Sequence, residues 1–154
     1  MVPLTLMLAD EAATAALGRR LALLARPGDI VALQGPLGSG KSVLARAFVR
    51  ALAGEETDVP SPTFTLVQTY PCAVGTVWHF DLYRLERAEE ALELGIDEAF
   101  HDAISLIEWP ERLGARLPAR RLLVRLSVEA DGDSRRAEIE GGREWAGRLA
   151  GGLE

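Results

Sequence analysis

The 154-residue sequence predicts an α/β fold: a mixed β-sheet flanked by helices, closed by a C-terminal β-hairpin. Three observations lead there. The nearly continuous apolar run Asp29-Ile30-Val31-Ala32-Leu33 reads as a fully buried strand, and it passes directly into a glycine-rich turn and an amphipathic helix. Strand-like and helical segments then alternate, the order that builds parallel strands with helical crossovers. Finally, Arg121 to Val128 and Arg135 to Glu140 flank Ala130-Asp131-Gly132-Asp133, the pattern of two strands around a turn.

Taken in order, Leu4 to Leu8 forms a short edge strand. Asp10 is placed to cap a helix running to about Leu24, because Ala13, Ala16, Leu17, Leu21 and Leu24 share one face; Pro27-Gly28 ends it. After the buried strand, Val43, Leu44, Ala47, Phe48, Ala51 and Leu52 recur at helical spacing. Arg46 and Arg50 lie on the opposite face, and Gly54 is the stop. Glu55 to Pro62 is polar and proline-punctuated, a loop. Thr63 to Tyr70, rich in β-branched and aromatic residues, predicts a strand, and Val77 to Tyr83 another. Glu86 to Leu94 predicts a helix stopped by Gly95. Ile104 to Trp109 predicts a short buried strand closed by Pro110, and a short helix follows Gly141-Gly142.

Length and composition bound the class. The chain, 1–154, reads as one domain with room for an ordinary core; 48% hydrophobic and 26% charged residues are normal for a globular protein. The single cysteine, Cys72, excludes an internal disulfide framework and a cysteine zinc site. No apolar run is long enough for a bilayer, and Met1-Val2-Pro3-Leu4 lacks the basic start of a signal peptide, so a cytoplasmic location is expected. A net charge of −6 argues against a broad basic surface for nucleic acid.

The chemistry is carried by Gly35-Pro36-Leu37-Gly38-Ser39-Gly40-Lys41-Ser42, the phosphate-binding pattern GxxxxGK[ST]. Its glycines let successive backbone N–H groups converge on phosphate oxygens. The helix that follows adds roughly half a positive charge at its N-terminus. Lys41 is expected to reach the β- and γ-phosphates and Ser42 to take a position on Mg²⁺. Such a loop alone is often only a turn; between a buried strand and an amphipathic helix it predicts a nucleoside triphosphate site in a P-loop NTPase-like fold.

A P-loop needs a carboxylate from a neighbouring strand to hold Mg²⁺ or orient water. In Trp78 to Arg84 the strand period puts His79, Asp81 and Tyr83 on one face and Trp78, Phe80 and Leu82 on the other; the polar face is either a site wall or a half-exposed strand. Ile104-Ser105-Leu106-Ile107-Glu108-Trp109 ends an apolar run in a carboxylate, as at the C-terminal edge of a parallel sheet, though surface glutamates share that position. The hydroxyls of Ser61 and Thr63, in Ser61-Pro62-Thr63-Phe64, fit either a segment ordered by the γ-phosphate or a plain loop-to-strand junction.

Three P-loop classes compete. A GTPase is excluded by the missing Asn-Lys-x-Asp and Asp-x-x-Gly motifs. A small-molecule kinase is the alternative reading: Arg112, Arg116, Arg120 and Arg121 supply some lid-like arginines, but no separate lid segment is evident. The third class is a small ATPase or ATP-binding switch acting on another protein.

Asp10-Glu11-x-x-Thr14, the loop Gly35 to Ser42, Ser61-Pro62-Thr63-Phe64-Thr65-Leu66-Val67, His79 to Leu85, Glu90 to Ile96, Glu108-Trp109-Pro110 and Leu117-Pro118 together resemble the TsaE (YjeE) family of bacterial tRNA threonylcarbamoyladenosine ATPases. The resemblance implies an ATP-binding protein with weak, Mg²⁺-dependent ATPase activity. It implies TsaD and TsaB as partners, which install threonylcarbamoyl on adenosine 37 of tRNAs reading ANN codons, with tRNA met only through that complex. It places Lys41 on phosphates, Ser42 on Mg²⁺, and Asp81 and Glu108 as metal- or water-positioning carboxylates. It further implies that Gly35, Pro36, Leu37, Gly38, Ser39, Gly40, Val43, Ser61, Thr63 and Trp109 lie at the nucleotide, with Glu11 and Arg135 close by. Two departures touch the loop. Pro36 replaces an acidic residue and removes one N–H at the loop's start, and Val43 replaces a threonine, losing its hydroxyl. The hairpin is also longer than the family's usual form.

Overall fold

In the computed structural model, which describes residues 3–152, the apolar run forms β2 (Ile30–Gln34) at the centre of a seven-stranded sheet. Met1 and Val2, part of the N-terminal segment read above for a leader, lie outside the described residues, as do 153–154. Around β2 the chain contributes β1 (Leu4–Leu8), α1 (Glu11–Leu24), α2 (Lys41–Ala53), β3 (Val67–Cys72) and β4 (Gly75–Asp81). The short helices α3 (Glu90–Glu93) and α4 (Ile96–Asp102) then lead to β5 (Ile104–Glu108). A 3₁₀ segment (Pro110–Arg116), β6 (Leu122–Val128), β7 (Arg135–Gly141) and α5 (Arg143–Gly152) complete the order. The strands lie as β1-β7-β6-β2-β5-β4-β3. β2, β4, β5 and β6 run parallel, while β1, β3 and β7 pair antiparallel at the two sides, so the sheet is mixed as the sequence predicts.

Alternating side chains of the central strands build two cores. Val31 and Leu33 of β2 and Leu106 of β5 face α1, α2 and α5, where Leu17, Leu21, Leu44, Phe48 and Trp145 are buried. Ile30 and Ile107 face the other layer, with Phe80, Leu82, Ile96, Phe100 and Leu113. A fully buried Leu or Phe of this kind contributes about 1.5–3 kcal/mol relative to exposure. α1 begins as expected, with Asp10 Oδ1 accepting from the Ala13 N–H at 2.8 Å. Among the described residues no helix is long and apolar enough to cross a membrane.

Three boundaries differ from the sequence reading. The strand expected over Thr63 to Tyr70 starts only at Val67: a turn closed by Leu66 N–H on the Pro62 carbonyl, with Leu66 at φ 69°, occupies the preceding residues. The strand expected to reach Tyr83 ends at Asp81. The helix expected over Glu86 to Leu94 contracts to Glu90–Glu93, and Gly95 (φ 83°) turns the chain into a second helix instead of a loop.

Gly18 lies where α1 crosses α2; a Cβ there would stand 2.4 Å from the Leu44 carbonyl oxygen. Gly18→Ala is therefore expected to lose about 1–3 kcal/mol in urea unfolding, despite alanine's better helix propensity. Gly147→Ala, in α5 with open space around the new methyl, is expected to gain roughly 0.5–1 kcal/mol. A neutral Gly18→Ala would contradict the close helix crossing.

Candidate functional site

The four parallel strands deliver their C-terminal ends to one edge of the sheet, where ligands of open α/β folds bind. β2 leaves that edge through the phosphate loop. Gly38 (φ 79°) and Gly40 (φ 104°) are left-handed, a conformation that costs other residues about 1–2 kcal/mol. The Ser39 N–H closes the turn on the Pro36 carbonyl at 3.2 Å, and the buried Ser39 hydroxyl has no hydrogen-bond partner among the described residues. α2 starts at Lys41 without a side-chain cap, so its first amides remain available to an anion. This uncapped helix behind a positive-φ turn is the cradle a polyphosphate fits. Pro36 enters the loop through its carbonyl, which accepts from the Ser39 N–H and from Lys41.

Lys41, the chain's only lysine, is 5% exposed. Its ammonium donates to the Gly35 carbonyl and, at 3.1 Å, to that of Pro36, and it sits 4.1 Å from the centroid of the Trp109 ring. Burial pulls the ammonium below its ordinary range, an effect opposed by the carboxylates of Glu108, Glu111 and Asp81.

Two of those carboxylates are neighbours by strand register. Asp81 and Glu108 are paired positions at the ends of β4 and β5, and both are buried. Asp81 accepts from the Thr63 hydroxyl at 3.0 Å and the Tyr83 N–H at 3.1 Å; Ser61 extends the chain, its hydroxyl 2.7 Å from that of Thr63. Glu108 Oε2 lies 2.7 Å from His79 Nε2. The polar face of β4 is thus a buried wall for His79 and Asp81. Tyr83 does not join it: β4 has ended, and Tyr83 is half-exposed, its ring 4.8 Å from that of Trp109. Trp109 adopts φ 60°, which ends β5 and turns the indole under Lys41.

The opposite wall comes from the start of α1 and from the hairpin. Register places Leu8 of β1 and Val128 of β6 opposite Arg135, so the hairpin turn rises over the loop. Arg135 donates to the Gly38 carbonyl at 3.1 Å and to its own turn at Gly132 and Asp133. These walls enclose a cavity of about 740 Å³, within the range of roughly 300–1,000 Å³ typical of small-molecule sites.

Of the residues singled out in the sequence, Glu11, Leu37, Gly38, Gly40, Lys41, Ser42 and Val43 line this cavity from the loop side. Ser61, Thr63, Asp81, Glu108 and Trp109 line it from the strand side, and Arg135 from the hairpin opposite. Gly35, Pro36 and Ser39 do not; they shape the loop from behind. Gly35 in particular leaves no room for a Cβ, which would meet the Leu126 carbonyl oxygen at 2.5 Å. Thr14, Gly132 and Asp133 line the cavity without having been singled out as site residues. Arg120 turns away from the cavity, donating to the carbonyls of Gly28 and Phe100, and Arg121 donates to that of Pro118. Neither forms a kinase-like lid. Ser42, Asp81 and Glu108 share the cavity, whereas no group of three or more His, Cys, Asp or Glu among the described residues could hold a metal unaided. That donor set fits Mg²⁺, which takes one or two carboxylates and completes its shell with phosphate and water.

A model of the family described as threonylcarbamoyl adenosine biosynthesis protein TsaE matches residues 8–137, a span that includes every cavity-lining residue from Ala9 to Arg135. The chain belongs to the TsaE family. It is 42% identical over 123 residues to the tRNA threonylcarbamoyladenosine biosynthesis protein TsaE of Rickettsia felis, covering 80% of this chain and 72% of that one. To the protein of the same name from Haemophilus influenzae it is 37% identical over 145 residues, 90% of each chain. Among solved structures it is similar to YdiB of Bacillus subtilis, with a TM-score of 0.81 and 29% identity over 97% of this chain and 94% of that one. The mixed α/β sheet described above is thus shared with YdiB.

The Thr63–Asp81 bond gives a direct test of the site's wiring. Thr63→Val keeps the shape but removes a donor from a buried carboxylate, and is expected to cost about 1–3 kcal/mol in urea unfolding. Thr63→Ser should retain most of that stability; equal stability of the valine variant and wild type would contradict the bond's role.

Proposed function

We propose that this TsaE-family chain is a Mg²⁺-dependent ATPase of the cytoplasm that serves threonylcarbamoyl transfer to adenosine 37 of tRNAs reading ANN codons. It acts with TsaD and TsaB proteins, and ATP binding and hydrolysis support repeated turnover of that complex. One observation carries the reading: a single buried lysine stands between an uncapped helix N-terminus and two buried carboxylates in one cavity.

The chain's own groups divide the work. The amides of the loop and of the first turn of α2 bind the β- and γ-phosphates, and Lys41 leaves its carbonyl partners to meet their charge. Ser42, Asp81 and Glu108 are the groups that would hold Mg²⁺, directly or through water, and the ion when bound neutralises phosphate charge. Glu108 aligns a water with the γ-phosphorus. The water's oxygen bonds to the γ-phosphorus as the bond from that phosphorus to the β–γ bridging oxygen breaks; the water's proton passes to a γ-phosphate oxygen, and Lys41 stabilises the charge the bridging oxygen gains as ADP and phosphate form. Trp109 and Arg135 hold Lys41 and the loop in place. With a net charge of −6 the chain has little counterion-release energy to offer tRNA, which supports contact through the partner proteins.

Lys41→Ala is expected to weaken ATP binding at least about tenfold by calorimetry, since a charge-assisted contact of this kind contributes about 1.5–3 kcal/mol. Glu108→Gln should still bind ATP while hydrolysis with TsaD and TsaB falls at least about tenfold, roughly 1.4 kcal/mol in the barrier. Asp81→Asn should chiefly weaken the Mg²⁺ requirement. Unchanged ATP affinity in Lys41→Ala, or wild-type hydrolysis in both carboxylate variants, would overturn the proposal.

A further inference from the structure

Behind the cavity wall lies a group that the mechanism above does not use. His79 is 2% exposed and does not line the cavity; its Nε2 lies 2.7 Å from Glu108 Oε2. Its other ring nitrogen, Nδ1, is buried with no hydrogen-bond partner among the described residues. The bond to Glu108 is thus the imidazole's one polar contact. A side chain kept only for packing has no need of that arrangement, because an apolar residue of similar volume would fill the site without burying an unpaired nitrogen.

We infer that His79 is a positioning residue for Glu108. The inference rests on the ATPase reading of that carboxylate. The Nε2–H tautomer donates to Oε2, and it leaves only a lone pair, not an N–H, unpartnered at Nδ1. With Oε2 held from behind, Glu108 presents Oε1, which has no hydrogen-bond partner among the described residues, to the cavity it lines. Backbone register supplies the rigidity: His79 and Glu108 sit two positions apart on adjacent parallel strands, His79 opposite Leu106 and Asp81 opposite Glu108. A carboxylate with three rotatable side-chain bonds would otherwise sample orientations that do not align a water. Histidine also serves better here than a cation, since a fixed positive charge would compete with Lys41 for the carboxylate.

The test uses the full chain with TsaD and TsaB. His79→Leu is expected to lower kcat for ATP hydrolysis about 10- to 100-fold, the usual effect of removing such a supporting hydrogen bond. KM and the calorimetric ATP Kd should stay within about twofold, because the substitution leaves the loop amides, Lys41 and the Glu108 carboxylate itself in place and alters only how that carboxylate is aimed. His79→Gln, whose amide nitrogen reaches about as far as Nε2, should recover most of the rate, while His79→Asn, which reaches only as far as Nδ1, should not. Independently of activity, ¹⁵N–¹H imidazole spectra of the protein, with only His79 and His101 contributing, should show His79 as the Nε2–H tautomer. Wild-type kcat in His79→Leu, no advantage of Gln over Asn, an ATP Kd that weakens in step with kcat, or the Nδ1–H tautomer would each overturn the inference. Glu108→Gln separates the two levels: if it is slow while His79→Leu is not, this inference alone fails. If Glu108→Gln hydrolyses at the wild-type rate, the role assigned to Glu108 fails and His79 positioning with it.

Discussion

The structure depends on keeping three charged side chains, Lys41, Asp81 and Glu108, buried at one end of the sheet. Withdrawing an ion from water costs several kcal/mol even after relaxation, so each must be matched by hydrogen bonds or by opposite charge. Each is. Lys41 has two loop carbonyls and an aromatic face, Asp81 a hydroxyl and an N–H, Glu108 an imidazole. The mutual attraction of the lysine and the carboxylates opposes the fall in lysine basicity that burial imposes. The outcome is a site whose two carboxylates are held by hydrogen bonds before any ligand arrives, a preorganisation that favours electrostatic stabilisation of a transition state.

Topology is what makes that burial achievable. Because β2, β4 and β5 are parallel neighbours, the loop, Asp81 and Glu108 reach the same edge without any long connection. The antiparallel β7 then starts from this edge, where Arg135 ties the hairpin turn to the loop at Gly38. Register with Leu8 of β1 and Val128 of β6 sets the position of Arg135 beside the loop.

Much of this was legible in the residues. The run into Gly35 to Ser42 defined β2, the loop and α2, because local sequence alone dictates a strand, a glycine turn and a helix. The closing hairpin was equally plain from its turn residues. Elsewhere local preference lost to tertiary bonds. Thr63 to Leu66 is β-branched and aromatic yet folds into a turn, because Thr63 is held by Asp81 and the Asp81 N–H by the Leu66 carbonyl. Gly95 reads as a helix stop and does end α3, but its left-handed turn also starts α4, an outcome no single-helix pattern discloses. The His79–Glu108 pair spans 29 residues and depends on which strands lie side by side. Sequence presents each residue singly, and only the β4–β5 register brings them together.

TsaE-family membership and this cavity together frame the central claim, that phosphate chemistry here renews a tRNA-modifying complex. The most direct test counts threonylcarbamoyl groups transferred to tRNA per TsaD–TsaB complex, with this chain present and ATP exchanged for a non-hydrolysable analogue. The account predicts repeated transfer with ATP and no more than about one transfer per complex with the analogue. Repeated transfer with the analogue, or without this chain, would contradict it.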